Sequence, residues 1–306
     1  MNVLITGGAG YIGTELVYNL EADEHIKQII IYDNLKRRNF NLFLGRMKLN
    51  TDKVRFVNGE ILDSRKLKKE VDKADVVYHL AAKVTTPFAD HNPHEFDQVN
   101  NWATAELTYL LEKSNVSKFI YASSASVYGS SKEESDIHTP LNPKTFYGIS
   151  KMHGEEHVHR LIDSDIQTYV LRLGNAYGYN KSMRFDSVIN KFIFEANFYK
   201  RIRIFGHGNQ YRSFIHIERL GAFLSNLIKV ELPPSIYNVV ESSYSINEIV
   251  DELKNLYPSL EMIFVNQNMG MRSLKVKPDE RIDPFMPIPK KELAADLAEF
   301  KAQFSF

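Results

Sequence analysis

Short apolar segments alternate with longer amphipathic or polar segments through the first half of the chain. The apolar segments, which predict buried strands, are residues 3–6, 28–33, 54–58, 74–80, 118–123 and 169–173. The segments between them predict helices over residues 11–19, 66–71 and 96–113. Strands that are apolar on both faces and alternate with helices form a parallel sheet that helices cover on both sides. The pattern therefore predicts an α/β fold with a doubly wound parallel sheet.

The alternation breaks down after residue 173, where basic, aromatic, glycine and proline residues are mixed. Two further apolar segments, residues 213–217 and 236–239, predict strands that return to the main body. We therefore expect residues 1–173 to form the sheet domain, with returning segments near 213–240. Residues 174–306 are expected to form mainly a smaller, interleaved C-terminal substrate lobe.

A glycine-rich turn follows the first predicted strand directly. Gly7, Gly8, Gly10 and Gly13 satisfy G-x-G-x-x-G and open the first predicted helix. Glycine lets the backbone turn tightly and approach a pyrophosphate that a Cβ atom would push away. The helix N-terminus then offers free N–H groups and a partial positive charge to that anion. The turn predicts a dinucleotide site, although the same glycines also suit a plain strand-to-helix turn.

The second predicted strand ends in an acidic residue. Asp33 lies 20 residues past Gly13, where a carboxylate accepts hydrogen bonds from the adenosine ribose hydroxyls. An acid there repels a 2′-phosphate and favours NAD over NADP, while the basic residues 36–38 weaken that preference. The alternative is a turn residue paired with Asn34. Residues 1–173 are thus predicted to be a Rossmann-type NAD-binding domain.

Tyr147 and Lys151 are four residues apart, which places them on one face of a helix. A free tyrosine has a pKa near 10, and a nearby ammonium favours the phenolate and lowers that pKa. Residues 123–129 (SSASVYG) directly follow a predicted strand, and the carboxyl ends of parallel strands bind ligands. The combination predicts proton transfer by Tyr147, although each motif alone also suits a surface pair or a serine-rich turn.

Together these segments resemble the extended short-chain dehydrogenase/reductase family, particularly its NAD-dependent epimerase/dehydratase branch. GGAGYIG, the acid of YDNL, HLAAKV, the VN of residues 98–101, SSASVYG and YGISK occur in the family's order, with the strongest match over residues 1–178. The resemblance implies that Ser124, Tyr147 and Lys151 are catalytic. The implied cofactor-binding residues are Gly7, Gly10, Tyr11, Ile12, Gly13, Asp33, Asn34, Glu60, Ile61, Leu80, Ala81, Ala82, Lys83, Asn100, Ser123, Tyr147 and Lys151.

The resemblance is weaker in the C-terminal part. Residues 174–178 (GNAYG) and 206–217 (GHGNQYRSFIHI) resemble family segments that contact a nucleotide diphosphate. A guanidinium suits that role because its planar fork binds phosphate oxygens in pairs. The tail over residues 269–289 departs from the family pattern, so it does not specify the sugar or the base. The implied substrate-binding residues are Thr85, Ser124, Ser126, Asn175, Arg184 and Arg212.

The residues after the catalytic serine are neutral. Sugar 4,6-dehydratases of the family place acids there, whereas this chain has Ala125 and Ser126. The resemblance therefore implies a nucleotide-sugar epimerase that acts through a transient 4-keto sugar, with Tyr147 as the base. A nucleotide-sugar dehydrogenase or 4-ketoreductase with net hydride transfer stays open, because residues 182–192 (SMRFDSVINKF) resemble a subgroup that contains both activities. A non-catalytic NAD-sensing protein is disfavoured by the intact catalytic set.

Composition narrows the choice of partners and metals. Lys plus Arg and Asp plus Glu number 38 each, so no net charge favours nucleic acid or an anionic membrane. Cysteine is absent, and no apolar run approaches the ~20 residues that span a bilayer. No metal is expected: residues 153–157 (HGEEH) have a zinc-binding spacing but fit a solvated helix face. We expect a cytoplasmic protein and, by analogy with relatives that pair through helices near 96–113 and 147–161, a homodimer.

Overall fold

Strands and helices alternate regularly up to residue 173 and then change pattern. The computed structural model describes residues 1–44, 48–84, 92–131, 133–266 and 271–304. The strands are β1 (Asn2–Thr6), β2 (Gln28–Asp33), β3 (Val54–Asn58), β4 (Val76–His79), β5 (Lys118–Ser124), β6 (Glu134–Ser135), β7 (Gln167–Leu173), β8 (Asn175–Tyr177), β9 (Arg201–Phe205), β10 (Tyr211–His216), β11 (Ser235–Val239), β12 (Ser242–Ser245), β13 (Glu261–Val265) and β14 (Lys275–Val276). The α-helices are α1 (Tyr11–Glu21), α2 (Ser64–Val71), α3 (Pro93–Phe96), α4 (Ala103–Leu111), α5 (Phe146–Ile162), α6 (Val188–Tyr199), α7 (Ile217–Asn226), α8 (Ile246–Leu256) and α9 (Leu293–Lys301).

Seven parallel strands form the main sheet, in the order β11-β7-β5-β4-β1-β2-β3. From β1 the chain winds outward through β2 and β3, then crosses back to β4 and winds the other way. The doubly wound α/β sheet predicted from the sequence is confirmed. Such sheets bind ligands at the strand ends where the winding reverses, which here lies between β1 and β4.

Helices cover both faces of the main sheet, as the side chains of β1 illustrate. Val3 and Ile5 pack with apolar residues of α1 and α7 on one face. Leu4 points to the other face, where it packs with residues of α2, α4 and α5. Burying an apolar side chain of this size contributes about 1.5–3 kcal/mol relative to exposure. The apolar segments of the sequence are therefore strands whose two faces are both interior.

The helical segment predicted over residues 96–113 is built from three consecutive pieces. α3 is followed by a π-helical turn, Asp97–Trp102, and then by α4. π-helical turns inside α-helices are rare and occur often at functional sites. This one brings Asn100 to a fully buried position beside the strand ends.

The C-terminal lobe contains three small sheets and α6, α8 and α9. The small sheets are β12-β10-β8, β13-β9 and β14-β6. Of the two segments expected to return to the main sheet, only β11 joins it. β10 pairs instead with β8, because β8 follows β7 directly but lies off the main sheet and offers a free edge. No helix in the described part of the chain is long and apolar enough to cross a membrane.

A buried ion network ties the lobe to the main body. Arg219 on α7 contacts Glu241 at 2.5 Å and Asp296 on α9 at 2.7 Å, and the three side chains are 2%, 7% and 0% exposed. The Tyr177 hydroxyl also donates to Asp296 at 2.5 Å. Because α7 covers the main sheet and α9 belongs to the lobe, this network joins their two cores.

Candidate active site

The glycine turn after β1 lies against the chain that leaves β4. Gly7 has a φ of +72°, and a Cβ atom there would lie 2.5 Å from the backbone nitrogen of Ala81. α1 then begins at Tyr11, and its N-cap Gly10 provides no side-chain hydrogen bond to the first turn. The exposed N–H groups of that turn suit an anion. Ile12 is partly buried against the core, and Gly13 packs on the turn itself. This backbone cradle fits a pyrophosphate.

The residues expected near adenosine come together at the ends of β2 and β3. Asp33 accepts hydrogen bonds from Ala9 N at 3.1 Å and Leu35 N at 2.8 Å, so its carboxylate also fixes the glycine turn. The Asn34 amide donates to both carboxylate oxygens of Glu60, at 3.0 and 2.9 Å. Ile61 is buried beside them. Two acids, an amide and an apolar side chain thus lie together where adenosine is expected.

Asn100 fixes the chain that follows β4. Its side chain accepts from Lys83 N at 2.8 Å and donates to Lys83 O at 2.9 Å and to Ser150 Oγ at 3.0 Å. Lys83 is thereby held at the strand ends, directly after Leu80, Ala81 and Ala82, which are all partly buried. Thr85, expected to bind substrate, lies outside the described residues.

An ion bridge connects the segments that follow β2 and β4. Glu95 on α3 pairs with Lys36 and with Lys83, and the Lys83 Nζ–Glu95 Oε2 distance is 2.7 Å. Hydrogen bonds from Lys36 and Lys83 lower the pKa of Glu95 to about 2. Because β1 lies between β2 and β4, the bridge spans the strand end that carries the glycine turn.

We expect Glu95→Gln to release bound NADH about tenfold faster than the unsubstituted protein. A neutral amide cannot form two ion pairs, and ~1.4 kcal/mol of lost pairing corresponds to a factor of ten. Displacement of bound NADH, followed by its fluorescence in a stopped-flow instrument, measures the rate. Glu299→Gln is the matched control, because it removes a surface ion pair with Lys291 that is distant in sequence from Glu95. Equal release rates in all three proteins would contradict the role of the bridge.

The three expected catalytic residues converge at the carboxyl end of β5. Ser124 is the last residue of that strand, and Tyr147 and Lys151 lie one turn apart at the start of α5. Thr145 defines that start, because its hydroxyl accepts a hydrogen bond from Gly148 N at 2.9 Å. The sequence motifs are thus joined by the fold into one cluster.

The Tyr147 phenol is subject to opposing effects. Burial is the largest effect and raises its pKa above the usual value, whereas a hydrogen bond with Ser124 and the positive charge of Arg184 lower it in part. The Lys151 ammonium donates to the carbonyl of Ala122 at 2.6 Å, and burial lowers its pKa to about 7. Arg184, expected from the sequence only as a substrate ligand, is therefore also a cation that acts on the phenol.

The serines beside Ser124 have different environments. Ser123 is buried, and its hydroxyl donates to Glu155 Oε1 at 2.5 Å. Ser126 is partly buried, and its backbone nitrogen donates to Ser124 Oγ at 3.2 Å. The hydroxyl at position 123 is thus committed to the protein interior, while Ser124 accepts a backbone bond that orients it.

Two arginines lie together in the C-terminal lobe. Arg212 Nη1 donates to the carbonyl of Tyr211 at 2.8 Å and to the carbonyl of Arg272. Burial and the positive charge of Arg272 lower the pKa of Arg212. Asn175 donates to the carbonyl of Ser213 at 3.0 Å, at the neighbouring strand. Sequence reasoning missed Arg272 because it lies in the atypical tail; its nearness to Arg212 depends on the fold.

The first helix of the cofactor site is bonded to the lobe. The Tyr11 hydroxyl donates to Gly178 O at 2.5 Å, and Thr14 Oγ1 donates to Ser182 Oγ at 2.8 Å. Asn180 Nδ2 donates to Tyr11 O at 3.0 Å. The side chain of Tyr11 therefore connects the dinucleotide turn to the segment that leads to Arg184.

Asp186 fixes Arg184 in turn. Arg184 donates to both Asp186 oxygens, at 3.0 and 2.9 Å. Arg37, which follows β2, lies 3.8 Å from the same carboxylate. Asp186 therefore holds Arg184 and also pairs with Arg37 from the segment that follows β2.

The histidine pair on α5 has ordinary partners. His157 Nε2 lies 2.9 Å from Asn101 Oδ1. Across the described ranges, no three His, Asp or Glu side chains come together in a way that would hold a metal ion.

Comparison with known proteins identifies the family. Residues 3–239 match the NAD dependent epimerase/dehydratase family. A putative UDP-glucose 4-epimerase of Methanocaldococcus jannaschii is 32% identical over 262 residues, which cover 83% of this chain and 81% of that protein. A dTDP-D-glucose 4,6-dehydratase of Mus musculus is 32% identical over 262 residues, covering 83% and 72%. The UDP-glucuronic acid 4-epimerase of Bacillus cereus, solved with UDP-glucuronic acid and NAD, has the same fold, with a TM-score of 0.85, 24% identity and coverage of 99% and 98%. The chain belongs to the NAD-dependent epimerase/dehydratase family.

Proposed function

We propose that this chain is a nucleotide-sugar 4-epimerase that acts through a transient 4-keto sugar. The observation that carries the proposal is the cluster of Ser124, Tyr147 and Lys151 at the carboxyl end of β5, followed by neutral residues. The glycine turn and the acid at the end of β2 supply the matching dinucleotide site.

Tyr147 is the proton-transfer residue of this proposal. Its phenolate takes the proton of the sugar C4 hydroxyl and later returns it, a role that contributes about 10²–10⁴-fold to the rate. Ser124 hydrogen-bonds the reacting oxygen, and the charges of Lys151 and Arg184 favour the phenolate. Bound NAD supplies the acceptor and donor of hydride at C4. The protein otherwise contributes orientation and electrostatics.

Neutral neighbours of Ser124 favour epimerisation over dehydration. Eliminating water from the sugar after oxidation requires a second acid/base pair near C5 and C6. Ala125 and Ser126 offer no carboxylate there.

Arg212 and Arg272 are the proposed diphosphate ligands. Paired guanidiniums repel each other and attract an anion, and each binds phosphate oxygens in pairs. An epimerase needs this anchor, because its keto sugar must turn over while the nucleotide stays bound. Asn175 and Ser126 lie at the same end of the strands and complete the proposed substrate contacts.

Turnover of defined sugars tests the proposal. Purified protein with catalytic NAD is given UDP-glucose, UDP-glucuronic acid, UDP-N-acetylglucosamine and the dTDP-, GDP- and CDP-hexoses. Nicotinamide absorbance is followed, and the sugars are separated. A C4-inverted product without lasting NADH supports the epimerase. NADH that grows in proportion to added NAD and sugar would show a dehydrogenase instead, and a 4-keto-6-deoxy product would show a dehydratase.

We also propose that two copies pair through α4 and α5. Trp102 at the end of the π-helical turn, Tyr109 on α4 and Phe146 at the start of α5 are 57%, 51% and 42% exposed, and a second copy would cover these rings. Light scattering should give twice the 35.3 kDa mass of one chain. Tyr109→Glu should shift the population toward the single-chain mass, and a monomeric unsubstituted protein would refute the pairing.

A further inference from the structure

A buried ion pair that the proposed mechanism does not use lies behind the catalytic residues. Glu155 lies one turn after Lys151 on α5, and Arg172 faces it from β7. The Arg172 Nη2–Glu155 Oε2 distance is 2.7 Å and the Nε–Oε1 distance is 3.0 Å, and the side chains are 4% and 1% exposed. Taking two charges out of water commonly costs more than their attraction returns. A buried ion pair directly behind the catalytic residues therefore indicates a role other than stabilising the fold.

Glu155 and Lys151 contact adjacent residues of β5. Ser123 Oγ donates to the Glu155 carboxylate at 2.5 Å, and Lys151 Nζ donates to Ala122 O at 2.6 Å. The carboxylate and the ammonium are thus fixed to the same strand end, directly before Ser124. Their order along the strand matches their order along the helix.

Arg172 contacts the other end of the serine turn, residues 123–128, which contains Ser124. Its Nη1 donates to the Tyr128 hydroxyl at 2.9 Å, and that hydroxyl donates to Asn238 Oδ1 at 2.7 Å. The ion pair therefore contacts both Ser123 and Tyr128, which bracket the turn that carries Ser124.

We propose that Glu155 is a positioning residue of the active site: neutralised by Arg172, its carboxylate keeps Lys151 in the ammonium form and holds the serine turn in place. This inference deepens the proposed function, and it rests on that function only for its effect on turnover.

The groups that face Lys151 explain why an anion is needed to keep it in the ammonium form. Tyr121 of β5 presents its hydroxyl 3.5 Å from Lys151 Nζ, and Tyr147 lies on the same helix face. Burial lowers the pKa of His79 on β4 to about 3, and burial raises that of Tyr121 well above its usual value, so both are neutral at pH 7. Burial lowers the pKa of Lys151 to about 7, while the charge of Glu155 raises it. Among these groups, Glu155 is the one that opposes deprotonation.

Two substitutions should shift the pH midpoint of Lys151 deprotonation in opposite directions. Glu155→Gln removes the negative charge and leaves Arg172, so Lys151 should lose its proton at a pH lower by roughly one unit. Arg172→Gln leaves the carboxylate free to act on Lys151, so the midpoint should rise. The ¹³Cε shift of Lys151 in ¹³C-lysine protein, assigned by its loss in Lys151→Met, gives the midpoint without cofactor or sugar. In active enzyme, the alkaline limb of kcat should follow the same shifts.

Asp296→Asn is the matched control, because Asp296 is also a buried partner of an arginine but lies in the lobe. It should lower stability and leave the Lys151 midpoint unchanged. Circular dichroism confirms which variants are folded, and either of the two active-site substitutions suffices for the test. An unchanged midpoint in a folded variant, or shifts of the same sign in both, would overturn the proposal. Because the spectroscopic midpoint needs no substrate, it stands even if the epimerase assignment fails.

Discussion

Replacing Tyr147 with phenylalanine should abolish most turnover while leaving the fold and both binding sites in place. The substitution removes one hydroxyl, and the ring keeps its edge contact with Phe96, whose centroid lies 6.5 Å away. Loss of a general base lowers kcat by about 10²–10⁴-fold. KM should stay nearly constant, because the diphosphate anchor at Arg212 and Arg272 is untouched. Steady-state kinetics with the active sugar measure both constants.

Calorimetry of NAD and of the nucleotide sugar provides the control for this variant, and both affinities should match those of the unsubstituted protein. Turnover within tenfold of the original would mean that another residue moves the proton. A lost NAD affinity would instead mean that Tyr147 is mainly a cofactor ligand.

Replacing Arg219 with methionine should cause the largest loss of stability of any substitution considered. It leaves the carboxylates of Glu241 and Asp296 buried without their counter-ion, which costs about 3–5 kcal/mol. Urea unfolding gives the change in the free energy of unfolding. Arg201→Met is the matched control: its partner Glu261 is 64% exposed, so the change should stay within about 1 kcal/mol.

The effect of Arg219→Met on the free energy of unfolding should depend on pH. Burial raises the pKa of Asp296, but hydrogen bonds from Arg219 and Tyr177 outweigh it and lower the pKa below the usual range. In the unsubstituted protein, the lowered pKa of Asp296 adds to the free energy of unfolding at pH values above the pKa of an aspartate in the unfolded chain. That contribution is lost as the pH falls through the lower pKa of Asp296 in the folded protein. In the variant the unpaired carboxylates gain protons readily. The stability difference between the two proteins should therefore start to shrink above pH 4, where the carboxylates of the variant gain protons, and shrink further below about pH 4, where the unsubstituted protein loses its own contribution. A difference independent of pH would contradict the electrostatic cause.

The main sheet was largely predictable, because its information is local. Strands β2 and β3 have the predicted bounds, and Asp63 caps α2 by accepting from Lys66 N at 3.1 Å. Apolar runs and caps act within a few residues of one another. The sequence did not predict that β10 lies outside the main sheet, because its apolar residues Phe214 and Ile215 suit the interior of either sheet and the choice depends on β8.

The candidate active site was likewise predictable where its signals are local and not predictable where they depend on the fold. Motifs that follow strand ends predicted the dinucleotide turn and the serine, and helical spacing predicted that the tyrosine and lysine share one helix face. The family match confirms the NAD-dependent family. The sequence did not indicate that Arg272 lies beside Arg212 or that Glu155 pairs with Arg172. The partners belong to different elements, and only the folded protein shows that these charges meet.

The place of β11 at the sheet edge has a consequence for how the protein is made. Its partner β7 ends at Leu173, but Ser235 begins β11. A ribosome adding about 5–20 residues per second needs roughly 3–12 s to supply the intervening residues 174–234. During that interval the nascent sheet has an unpaired edge of buried, apolar character, the kind of edge on which other strands aggregate. The newborn chain is therefore most in need of chaperone cover between the emergence of β7 and that of β11.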